Sequence, residues 1–268
     1  HCAVTASWRD YRRARRRSRQ AGALLAAALL VLLAGLTWFF TAGQFALAEP
    51  RIAGPTEAPV VAEGWMKPVA SVRPVPPGRA VDVLEALPVK GRAAGGNYDR
   101  SAFGQAWLDV DRNGCDTRND ILRRDLAGAR FTEGSRCRIG SGSFQEPYTG
   151  RTIAFRRGAE SSKAVQIDHV VALGDAWQKG AQLLTPVQRQ HLANDPLNLI
   201  AAEGQANQDK SASDAATWLP PNKAFRCHYV ARQISVKAAY GLWVTPAEKD
   251  AMKRVLGGCP EQQTIVPR

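Results

Sequence analysis

Residues 166–210 open with QIDHVVALGDAW and close with NDPLNLIAAEGQANQDK, and the reading of this stretch decides the fold. Asp168 and His169 end a short apolar run, and Asn198 opens a second run at 197–202. Asn207 follows nine residues later and Lys210 three after that, in a polar segment that starts a helix. No other part of the chain brings a base, hard oxygen ligands and a cation so close together. An imidazole ordinarily titrates near about 6.5, which suits it to take a proton at neutral pH, so His169 is the candidate general base. A magnesium ion takes a few oxygen ligands, keeps waters and uses a substrate phosphate as a further ligand, which Asp168 and the Asn207 carbonyl would complement. Lys210 is a candidate phosphate contact or transition-state stabiliser, against the plainer reading of a lysine on a solvated helix face.

Upstream, 152–157 (TIAFRR) and 164–167 read as short strands separated by a turn at 158–162. Arg156, Arg157 and Lys163 flank them as candidate backbone-phosphate contacts, each equally readable as a surface charge. Downstream, 174–180 and 185–193 read as helices, the second with a Thr-Pro start. TWLPPN (217–222) breaks the helix opened at 205. Two further helices follow at 223–240 and 245–256, the latter again starting Thr-Pro.

Five cysteines are present, none in a C-x-x-C pair, which argues against a zinc ribbon or a redox motif. For Cys115, Cys137, Cys227 and Cys259 the simplest pairing is two local bridges, Cys115 with Cys137 and Cys227 with Cys259. Four cysteines allow three connectivities, and Cys2 is left over. Residues 109–114 (DVDRNG) resemble the first half of a calcium loop, with Asp120 at its twelfth position. Asp116 stands where such a loop buries an apolar residue, and the competing reading is an Asx-rich turn with Gly114 supplying an unusual backbone angle. Trp107, Trp177, Trp218 and Trp243 read as core or rim residues and not as base-stacking platforms. His191 and His228 add little, and no G-x-S-x-G elbow supports a serine hydrolase.

The net charge is +12, and about half of it sits in the first twenty residues, which carry seven Arg against one Asp. Residues 21–48 hold no charge, and the apolar run at 21–42 is long enough to span a bilayer core. The arginines then form its cytoplasmic flank under the positive-inside rule, giving a single-pass membrane protein with its C-terminal part outside the cell. The alternative is a signal sequence cleaved after Ala48. Residues 43–79 are a Pro-rich linker, the folded domain is expected over 80–260, and 261–268 is a tail.

Strand, Asp-His, connecting segment, strand, then a helix with Asn and Lys resembles the ββα-metal finger of HNH endonucleases. The NYDRSAFG, GCDTR and TWLPPN segments are similar to an exported bacterial group related to the C-terminal domain of GmrSD-type restriction enzymes. The resemblance implies an α+β fold, in which the finger is embedded in a mainly helical, disulfide-stapled domain behind an N-terminal transmembrane helix. It also implies cleavage of DNA, or of RNA, with magnesium or manganese on Asp168 and Asn207, His169 as base, and Asn198 holding the His-bearing loop. A non-catalytic surface module binding nucleic acid or an envelope polymer is the alternative, and a calcium-stabilised adhesion module a third.

Overall fold

The structure, a computed structural model, describes residues 73–266. The expected membrane segment, its basic flank, most of the Pro-rich linker and Cys2 lie outside the described residues. Among those described, no helix is long and apolar enough to cross a membrane.

Helix α1 (Ala80–Ala86) is followed by a 3₁₀ turn at Arg100–Phe103, helix α2 (Thr117–Asp125) and three strands, β1 (Leu126–Phe131), β2 (Ile139–Gln145) and β3 (Thr152–Arg156). These strands form one antiparallel sheet in the order β1-β2-β3, with Phe144 opposite both Leu126 and Ile153. Helix α3 (Ala159–Ala164) leads into β4 (Val165–His169), which is followed by α4 (Leu173–Trp177) and α5 (Pro186–Asn194). Strand β5 (Leu199–Glu203) then pairs antiparallel with β4 in a separate two-stranded sheet, Asp168 opposite Ile200 and His169 opposite Leu199. Helix α6 (Gly204–Lys210) follows directly, and α7 (Arg226–Tyr240) and α8 (Pro246–Leu256) complete the fold.

The fold is therefore mixed α and β, stapled by Cys115–Cys137 and Cys227–Cys259, the two local bridges expected from the spacing. The second joins the start of α7 to the residues just after α8. Helices α5 and α8 both begin with a capping box and Pro in the first turn: Thr185 with Gln188, and Thr245 with Glu248. Each box satisfies backbone donors that a helix start otherwise leaves unpaired. Helix α7 ends at Gly241, whose φ of 64° suits the left-handed C-cap. It is buried along most of its length, packing Tyr229, Val230 and Ile234 against α1 and α8 on one side and Val236, Ala239 and Tyr240 against α4 and α5 on the other. A third apolar cluster, with Ile121, Phe144, Phe155 and Leu199, joins the three-stranded sheet to the back of β4 and β5.

Three expectations need correction. The 152–157 strand belongs to the three-stranded sheet and does not form a hairpin with 165–169, because β2 supplies its hydrogen-bonding edge. The turn expected at 158–162 is largely helix α3. The fold also reaches beyond 80–260: Arg73 N–H donates to the Ala239 carbonyl, Thr264 N–H to Gly78, and the Ala80 N–H to Gln262. Residues 262–265 are thus built into the domain.

Candidate active site

Strand β4 delivers Asp168 and His169 side by side, and α6 folds back across them. The turn from β5 into α6 depends on Gly204, where a Cβ would collide with the Lys163 carbonyl. Both Asp168 and His169 are almost wholly buried, at 6% and 7% exposure.

Asp168 accepts a 2.6 Å hydrogen bond from the Tyr148 hydroxyl at Oδ2. Lys210 Nζ lies 3.1 Å from its Oδ1 and 3.0 Å from Oδ2, and donates at 2.8 Å to the His169 carbonyl. Burial pushes the Asp168 carboxyl upward, opposed by the Lys210 charge and the hydrogen bonds from Tyr148 and Lys210. Lys210 is fully buried. It is a latch between α6 and β4, not the solvent-facing cation its position on a polar helix suggests.

His169 Nε2 stands 2.8 Å from the Ala193 carbonyl oxygen. A carbonyl only accepts, so Nε2 carries the hydrogen and Nδ1 keeps the lone pair. Burial pushes the imidazole down to about 3, with the nearby Arg100 and Lys210 charges adding to it against the Ala193 hydrogen bond. The ordinary value near 6.5 therefore does not apply, and the ring is neutral throughout the physiological range. Trp107 stacks against it, ring centroids 6.5 Å apart and planes 17° from parallel.

Asn198 is fully buried and clamps the segment after His169: its Oδ1 accepts from Val171 N–H at 2.8 Å, and its Nδ2 donates to the Leu192 carbonyl at 3.1 Å. Asn207 Nδ2 donates to Gln166 Oε1 at 2.8 Å, which leaves the Asn207 carbonyl oxygen as the group still open to a ligand. A cavity of about 450 Å³ brings Asp168, His169 and Asn207 together with Tyr98, Arg100 and Ser211. A second, of about 270 Å³, adjoins it through Arg100, His169 and Leu173.

The three flanking cations do not converge on these cavities. Arg157 donates to the Ile139 carbonyl at 2.5 Å and to Asn119 Oδ1 at 2.6 Å, tying β2 and β3 to α2. Arg156 is exposed on β3, and Lys163 is exposed on α3. In the 109–120 loop the carboxylates are filled by the loop's own donors: Gly114 N–H on Asp109, and the Asn113 amide on Asp111 and Asp120. Gly114 has φ 88°, and burial pushes Asp120 up to about 6, aided by Asp111 and Asp109 against the Asn113 hydrogen bond. This is the Asx-rich turn, next to the Cys115 bridge. Among the described residues no group of three or more His, Cys, Asp or Glu side chains could hold a metal ion.

Two site residues were not singled out by the sequence reading. Tyr148 follows β2, outside residues 166–210, and reaches Asp168 from 20 residues away. Arg100 lies in the NYDRSAFG segment, whose distinctive composition was the available signal.

Residues 116–255 match the family described as the C-terminal domain of GmrSD restriction endonucleases. An "Uncharacterized secreted protein" of Arthroderma benhamiae is 36% identical over 193 residues, spanning 69% of this chain and 90% of that relative. No solved structure matches. The chain belongs to the GmrSD C-terminal domain family, whose description points to a nuclease-like function.

Proposed function

We propose that this protein is a metal-dependent endonuclease of the HNH type, hydrolysing phosphodiester bonds of DNA, and of RNA as the alternative substrate, outside the cytoplasm with little sequence preference. The observation that carries this reading is the His169 tautomer. With Nε2–H held by the Ala193 carbonyl, Nδ1 is free to accept a proton, and the same ring borders the cavity shared with Asp168 and Asn207. The antiparallel β4–β5 pair followed by α6 supports the ββα reading.

A hard divalent cation fits the donors present. Asp168 offers carboxylate lone pairs beyond those used by Tyr148 and Lys210, and the Asn207 amide is turned with its oxygen available. One carboxylate and one amide suit magnesium, or manganese, which keep water and phosphate in the remaining positions. Bound there, such an ion supplies charge stabilisation for the phosphoryl centre. His169 Nδ1 takes the proton from the attacking water as the new P–O bond forms and the bond to the leaving oxygen breaks. An anionic phosphate entering the cavity favours imidazolium and so raises the depressed base toward a useful strength. Asn198 and Lys210 act as positioning residues, the first on the segment after His169 and the second on Asp168.

Two disulfides and the relative described as secreted support an exported location, whether by the single-pass anchor at 21–42 or by cleavage after Ala48. The test is digestion of plasmid and RNA by the full, oxidised chain with magnesium, manganese or EDTA, beside His169→Ala. Metal-dependent cleavage falling about 10²–10⁴-fold in the variant is expected. Equal inactivity of two folded proteins overturns the reading in favour of a surface module that binds without cutting.

A further inference from the structure

The two cavities bordering His169 differ in lining. The larger holds the polar groups Asp168, Asn207 and Ser211, whereas the smaller is walled by Phe103, Trp107, Leu173 and Ala193. Arg100 stands at the boundary of both, exposed and beside the Tyr98 hydroxyl, to which its side chain is hydrogen-bonded. A cavity of roughly 150 Å³ suffices for benzene, so 270 Å³ admits a one- or two-ring base.

The apolar wall is preorganised. Asp99 caps the 3₁₀ turn through Ser101 N–H at 2.8 Å and the Ser101 hydroxyl at 2.6 Å, Phe103 is 1% exposed, and Arg189 donates to the Ala102 carbonyl at 2.9 Å. Trp107 has φ 59°, a conformation a bulky residue adopts only where its surroundings hold it. Here Thr117 N–H donates to its carbonyl, and the next residue's N–H donates to Asn194 Oδ1 at 3.1 Å. Aromatic surface beside a cation is how sequence-tolerant single-strand binders hold unstacked bases.

We propose that the pocket walled by Phe103, Trp107 and Leu173 receives one unstacked nucleobase of the substrate, with Arg100 holding the phosphate of the same nucleotide. The proposal rests on the nuclease reading and deepens it: the substrate is single-stranded, or locally unpaired, nucleic acid. A paired base does not enter without the cost of unstacking.

The experiment uses the full, oxidised chain and a single-stranded DNA oligomer carrying one abasic position, its intact counterpart and the matching duplex. Cleavage at a phosphate flanking the abasic position is expected to fall about ten- to a hundred-fold, with distant phosphates unaffected and the duplex cut at least tenfold more slowly than the single strand. Trp107→Phe keeps this pattern and Trp107→Ala erases it, while Arg100→Gln slows cutting at every position. Unchanged cleavage at both flanking phosphates overturns the pocket and leaves the nuclease reading standing. If the wild type cuts nothing, the nuclease reading fails, and affinity of the wild-type chain for intact against fully abasic oligomer decides the pocket. Tenfold weaker abasic binding supports it and equal affinity overturns it.

Discussion

Two buried lysines, each set against carboxylates, do opposite things in this molecule. Lys210 meets one carboxylate, Asp168, at the floor of an open cavity. Lys179 is closed in by three, lying 2.6 Å from Asp175, 2.7 Å from Asp214 and 2.7 Å from Glu248, with Lys237 and Arg92 completing the cluster. Burial alone would lower Lys179, but Asp175 and Glu248 more than reverse it, and its ammonium is raised above the ordinary range. Asp214, which burial would raise, is held below its ordinary value by the Lys179 hydrogen bond and charge. The closed cluster ties α4 and the loop after α6 to α8, so it is a scaffold. The open pair retains lone pairs on Asp168 and so keeps the capacity to bind.

Lys179→Met leaves three carboxylates with only Arg92 and Lys237 against them, and a loss of about 3–5 kcal/mol is expected, read as a drop in the thermal midpoint of roughly 10 °C. A midpoint within a degree of wild type would erase the distinction between the two lysines. Lys210→Met removes one partner from a carboxylate that keeps Tyr148 and can protonate. A smaller loss of about 2–3 kcal/mol is expected, together with a fall in cleavage larger than the fall in affinity for the oligomer, because the damage is to the placement of Asp168. Equal falls would make Lys210 scaffold only.

A third effect, confined to low pH, concerns His228, which lies near Arg232 and Arg124. Burial pushes it down to about 4, with both arginine charges in the same direction. The unfolded chain then binds more protons than the folded one between about 4 and 6.5, so stability falls as pH drops through that window and levels off below it. Denaturant unfolding at pH 7 and pH 4.5 should show the wild type losing about 2–3 kcal/mol more than His228→Gln. Identical losses would mean that the scaffold does not sense pH at this position.

The order strand, Asp-His, strand, Asn and Lys on a helix was legible in residues 166–210, because each step carries its own local signal. So were the Thr-Pro helix starts and the pairing of cysteines close in sequence. The sheet of β1 and β2 was not legible: IGSGSFQ buries only Ile139 and Phe144 and offers no alternating apolar pattern. Nor did the sequence reveal that Arg157 would turn inward onto Ile139 and Asn119, since an arginine's partners are set by neighbours 18 and 38 residues away.

By itself, then, the sequence determined which residues are available for chemistry and on which elements they ride, through periodicity, capping and spacing. Only the tertiary structure decided their states. It buried His169 against Ala193 so that Nδ1 carries the lone pair, turned Lys210 from a surface cation into a latch, and brought Tyr148 and Arg100 to the site from outside the motif. The reason is physical: protonation and hydrogen-bond partnership depend on what surrounds a group in space, and those neighbours come from distant parts of the chain.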